Sequence, residues 1–116
     1  MNSLFKNMQI NQLSGRLRQI AGTPNVLSMQ FSAVDVAGIR ESIITIANEC
    51  KADDPQIARQ LLAAKDILFA VNQFGQAFIN PCAIGEILFG LDYLAAKGQA
   101  PSAEKQTPAE IWSYIH

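Results

Sequence analysis

The side chains best suited to covalent or acid–base work in this chain are two thiols, Cys50 and Cys82, one imidazole, His116, and ten carboxylates. A structural zinc site needs ligands at paired local spacing, which two distant cysteines and a lone histidine do not supply, so no metal and no cofactor is expected. A serine or cysteine hydrolase needs a base that is held rigidly beside its nucleophile. His116, beyond the last predicted helix, is poorly placed for that. No constellation combines nucleophile, base and charge stabiliser, and the sequence is read as non-enzymatic.

Two residues on one predicted helix have chemistry in reach. Cys82 follows Pro81 at a helix start, where unsatisfied N–H groups and the helix dipole can lower a thiol pKa; the plainer role is a small core residue. Glu86 lies one turn further on in the most apolar stretch of the chain. If that helix is buried, the carboxylate must find a partner or carry a raised pKa. The ordinary alternatives are an ion pair with Arg40 or Arg59, or exposure on a stripe with Lys97. Asp66 and Asp92 are expected to face water. Taken as ligand anchors, Arg18, Arg40, Glu86 and Tyr93 could combine with Phe69 and Phe89 to line a pocket between helices or subunits. The seven glycines are scattered and make no phosphate-binding loop. Gly85 and Gly90 share one helix and cost roughly 1 kcal/mol each relative to alanine, which implies close helix approach or a cavity.

The elements that must hold these residues are helices. Asp54-Pro55, Asn80-Pro81 and Thr107-Pro108 each set a capping residue before a proline at the first helical position. Ser32 with Asp35 marks another start. From Ser32, Val36, Ile39, Ile43, Ile46 and Cys50 trace one apolar seam. From Pro55 the seam is Ile57, Leu61, Ala64, Leu68 and Val71, with an end expected near Gly75. The helix from Pro81 is apolar nearly all round, is expected to be central, and stops at Gly98. Earlier, Ile10, Leu13, Leu17 and Ile20 keep helical spacing until Gly22-Thr23-Pro24 breaks it. Residues 1–10 are read as a separate turn, a kink or a swapped arm. Leu27, Met29 and Phe31 alternate with polar residues, which gives an extended connector. Residues 99–107 read as a polar loop, and 108–115 as a short terminal helix. The fold expected is all-α: one compact domain of about four to five helices, with an irregular or extended connector near residues 22–31.

Composition sets the remaining expectations. A chain of 116 residues makes one domain, and its net charge of −1 offers no bulk attraction to nucleic acid or anionic lipid. Lys6, Arg16 and Arg18 give the first 34 residues +3, leaving −4 for the rest. Three charges are a thin footprint for nucleic acid, which is kept only as a further alternative. The first twelve residues carry Lys6 and several amides, so no secretory signal is read there. The apolar run from Pro81 to Ala96 holds Glu86 and Asp92 and falls short of the roughly 20 residues of a membrane span. A cytoplasmic protein without a membrane segment is expected, with Cys50 and Cys82 as thiols rather than a disulfide.

Charged residues make up 16% of the chain, against a usual 25% or so, beside 49% hydrophobic residues. A small domain has much surface, so apolar side chains must face outward unless another chain covers them. Phe5, Met8, Leu27, Met29, Phe31, Phe78, Trp112 and Tyr114, at helix ends and connectors, are the candidate interface. The resulting expectation is a helical interaction module of inhibitor, immunity or adaptor type that forms a homo-oligomer and binds a protein partner. A bundle that binds a nucleotide or metabolite is the alternative.

Overall fold

The computed structural model describes residues 3–98, with side chains from Asn7 to Lys97. The stretches expected as a loop (99–107) and a helix (108–115), with Trp112 and Tyr114, and the side chain of Phe5 lie outside the described residues. The chain forms α1 (Ser3–Ala21), a 3-10 turn (Val26–Ser28), α2 (Ala33–Cys50), α3 (Pro55–Leu68), β1 (Phe69–Val71), β2 (Ala77–Ile79) and α4 (Pro81–Gly98). Four helices pack as a bundle with a small antiparallel hairpin at one end. The helix runs without interruption from Ser3, so residues 3–10 are part of α1 rather than a separate turn.

The helix starts follow the local chemistry of the sequence, with one exception. The Ser32 hydroxyl accepts the Asp35 N–H at 3.1 Å, and the Asn80 side-chain oxygen accepts the Cys82 N–H at 3.0 Å. Asp54 precedes Pro55 as expected, but its carboxylate caps nothing. It takes the Lys97 ammonium at 2.7 Å instead, tying the end of α4 to the start of α3. Gly22 and Pro24 end α1, and the Thr23 hydroxyl donates to the Gln19 carbonyl at 2.9 Å.

The core is the set of seams that periodicity predicts. Ile10, Leu13, Leu17 and Ile20 of α1 meet Ile39, Ile43, Ile46 and Cys50 of α2, Leu61, Ala64 and Leu68 of α3, and Ile84, Ile87, Leu91 and Leu94 of α4. The packing is uneven: α3 lies closely on α2 and α4, and α1 lies closely on α4 but only lightly on α2.

Two expectations are corrected and one gains its detail. First, α3 ends at Leu68 rather than near Gly75, and Val71 is exposed instead of joining the seam. Phe69–Val71 pairs with Ala77–Ile79, joining Phe69 to Ile79 and Val71 to Ala77. Asn72 closes the turn: its side-chain oxygen accepts the N–H groups of Phe74 (2.9 Å) and Gln76 (3.0 Å), and its amide donates to Gln76 Oε1 at 2.7 Å. Gly75 sits at φ +78, a left-handed position that a hairpin loop of this length favours. Second, the connector is irregular, within what the sequence reading expects, and has a defined path. Asn25 adopts φ 60, the 3-10 turn follows, and the chain straightens so that the Phe31 N–H donates to the Ala77 carbonyl at 3.0 Å. That bridge gives the alternating segment the pairing a lone strand lacks. Third, α4 is not enclosed. Its far face, with Cys82, Glu86, Phe89, Tyr93 and Lys97, is exposed.

Candidate functional site

The polar anchors do not converge. Arg40 lies over the Phe69 ring, 5.8 Å from its centroid, and Phe31 meets the same ring edge-on at 5.3 Å between centroids. Arg18 reaches across to α4, where one guanidinium nitrogen contacts both Asp92 oxygens at 2.6 and 2.7 Å. Glu86 and Tyr93 share the outer face of α4, and Glu86 has no ion pair among the described residues. Phe69 is buried beneath the hairpin while Phe89 stands in solvent, so these rings line no common pocket. Cys82 is exposed rather than in the core, Cys50 is buried, and no disulfide joins them. No group of three or more potential metal ligands occurs among the described residues, and no described helix is long and apolar enough to cross a membrane.

What gathers instead is apolar surface. Leu27, Val34, Ile67, Val71 and Phe74 are exposed large side chains at or beside the hairpin end: Leu27 in the 3-10 turn that packs on β2, Val34 at the start of α2, Ile67 at the end of α3, Val71 in β1 and Phe74 in its turn. Phe74 is 77% exposed and Leu27 70%. The Asn72 clasp projects Phe74 by fixing the backbone on both sides of it. Of the interface candidates, Leu27 and Met8 are exposed, Phe78 is half-buried, and Met29 and Phe31 pack against the core. Sequence reasoning singled out neither Val34, Ile67 nor Val71. Val71 falls in a helix expected to end near Gly75, and recognising Asn72 and Gly75 as hairpin residues releases it; Ile67 does belong to α3, on its solvent side.

Two further features belong to the sides of the bundle. On α4, Phe89 is 66% and Tyr93 47% exposed, and they stand one turn apart with Gly85 and Ala96 beside them. Between α1 and α2 runs an open groove of about 480 Å³. Gln9, Gln12 and Arg16 form one wall, and Glu41, Ser42 and Thr45 the other. Arg16 approaches Asp35 at 3.5 Å, so both arginines of the basic N-terminal third lie beside carboxylates. Gln9 Oε1 is buried and has no hydrogen-bond partner among the described residues.

No family model, no curated protein and no solved structure matches this chain.

Proposed function

We propose that this protein is a non-enzymatic interaction module that self-associates and binds a protein partner through the apolar surface of its hairpin end. The observation that carries the reading is the gathering of Leu27, Val34, Ile67, Val71 and Phe74, all exposed, around one small end of the bundle. Burying a side chain of this size stabilises by roughly 1.5–3 kcal/mol. Association itself costs on the order of 4–15 kcal/mol, so most of the five must be covered together and the pairing is of modest strength. Light scattering across a micromolar dilution series is expected to give a mass above one chain. Val71→Asp with Phe74→Asp, both on exposed positions, is expected to return a single-chain mass while the melting transition stays cooperative. A single-chain mass for the unaltered protein at every concentration would remove the self-association.

A second reading has its own observation, the unpartnered Gln9 Oε1 at the polar α1/α2 groove. A small hydrogen-bonding ligand seated there would raise the melting temperature in a panel of nucleotides and polar metabolites. Gln9→Leu would then abolish that shift, and a panel with no shift would dismiss the reading.

A further inference from the structure

The hairpin has one edge that is bridged and one that is open. The Asn72 N–H donates to the Gln76 carbonyl at 3.0 Å and the Asn80 N–H to the Leu68 carbonyl at 2.7 Å, which makes Asn72–Gln76 and Leu68–Asn80 hydrogen-bonded pairs. Antiparallel pairs alternate between bonded and non-bonded, so Ala70 bonds to Phe78, whereas the N–H and carbonyl of Val71 point away from β2. The far edge of β2 obeys the same parity: the Ala77 carbonyl, across from Val71, points outward and accepts the Phe31 N–H at 3.0 Å. Val71 has no such neighbour, and among the described residues no hydrogen bond reaches its N–H or its carbonyl. Exposed sheet edges are commonly guarded by a charge, a proline or a bulge. This edge has none of the three, since residues 67–80 contain neither a charged residue nor a proline and the register is unbroken.

We infer that β1 pairs with β1 of a second copy about a two-fold axis at Val71, joining two hairpins into one four-stranded antiparallel sheet; this rests on the self-association proposed above and specifies how the hairpin end achieves it. Three observations select a second copy as the occupant. Val71 set opposite its own twin makes a bonded pair, in which each N–H donates to the other's carbonyl, so one symmetric contact satisfies every group left open at this residue. The edge also meets itself without repulsion, because no charge lies between Ile67 and Asn80. Finally, the Asn72 clasp and the ladder to β2 already hold the strand extended, whereas a free peptide would have to be ordered on binding. The side chains agree with the backbone. Val71 is 61% exposed and lies on the same sheet face as buried Phe69 and Ala77, so its twin would continue that apolar face. With three residues the strand is short, and exposed Ile67 and Phe74 beside it supply further apolar cover.

Amide hydrogen exchange resolved by NMR, followed on the full chain across a dilution series beside light scattering, reads the pairing directly. The Val71 amide is expected to exchange several-fold more slowly where the mass is that of two chains than where it is that of one, while Ala70, bonded within the hairpin, stays protected throughout. Cross-linking tests the register. Opposite residues of a bonded pair lie about 5.5 Å apart at Cα, within disulfide reach. Two copies of residue 73 would lie four positions apart along the sheet, more than about 10 Å. In a Cys82→Ser chain, mild oxidation is therefore expected to link Val71→Cys into a covalent dimer many-fold faster than Gln73→Cys, both being exposed positions. A two-chain mass with Val71 exchange unchanged, or Gln73→Cys linking as fast as Val71→Cys, would overturn the strand pairing and leave self-association through apolar side chains standing. A single-chain mass at every concentration would remove both. Val71 protection that appears only when a valine–threonine strand peptide is added would assign the edge to a foreign strand and overturn the inference equally.

Discussion

The seam between α3 and α4 and the seam between α1 and α2 each contain a glycine in the middle of a helix, for opposite reasons. A side chain at Gly90 would meet Leu61 Cδ2 at 3.0 Å and Ile57 Cγ2 at 3.6 Å. The missing Cβ is what lets α3 and α4 close on each other, and Gln60 adds a hydrogen bond to the Glu86 carbonyl at 3.2 Å. At Gly38 nothing lies within 4 Å, and the residue lines the α1/α2 groove. Both pay the same intrinsic helix cost, roughly 1 kcal/mol against alanine. One offsets it by close packing, and the other leaves a polar channel open. A glycine in a helix therefore reports a neighbour in one place and a space in another, and only the opposite wall distinguishes them.

The largest effect should come from cutting into the tight seam. Leu61→Ala is expected to cost about 2–5 kcal/mol in chemical denaturation, towards the upper end because the site is closed on all sides. Leu13→Ala, on the wall of the groove, is expected near the lower end of that range; equal losses would break the contrast. Gly90→Val should destabilise by roughly 1–3 kcal/mol through overpacking against Leu61. Gly38→Ala should do the reverse and stabilise by about 0.5–1 kcal/mol, since the new methyl meets no atom. A destabilised Gly38→Ala would mean that the groove needs its full depth.

The smallest effect concerns the end of the tight seam. The hydrogen bond to Asp54, foremost among its causes, raises the Lys97 pKa above the ordinary lysine value. Because the folded-state value is the raised one, the pair's stabilisation is present at neutral pH and fades as pH climbs past the lysine range through the raised pKa. Both partners reach solvent, so the gain is small. In thermal melts, the difference between the unaltered chain and Asp54→Asn should therefore narrow above about pH 10.5 and hold steady from there down to neutral pH.

Most of the helical framework was legible because its signals are local. Ser32, Pro55, Pro81 and Gly98 mark boundaries through capping and backbone chemistry, and the seams follow from spacing alone. The hairpin was hidden by a coincidence of period: Leu68 and Val71 are three apart, which continues a helical seam as readily as Phe69 and Val71 begin a strand. The enclosure of α4 was overread because composition around a helix says how apolar it is, not how many neighbours it has. Phe89, Tyr93 and Cys82 are apolar and face outward. Asp54 shows a third limit, since a carboxylate before a proline fits a cap until a distant lysine outbids the backbone. As for the surface, the charge deficit foretold exposed apolar side chains, but their gathering at one end depends on tertiary placement that no local pattern encodes.

The docking of α1 on α4 joins residues as far apart in the sequence as Arg18 and Asp92. During synthesis α1 emerges first, yet the helix it packs on most closely follows some 70 residues later, a delay of about 4–15 s at ordinary translation speeds. Through that interval Ile10, Leu13, Leu17 and Ile20 lack α4 and have the lighter contact with α2. The first helix made is thus the last to be secured, and a nascent chain stalled before α4 would leave the ribosome with an oily stripe uncovered and open to chaperones.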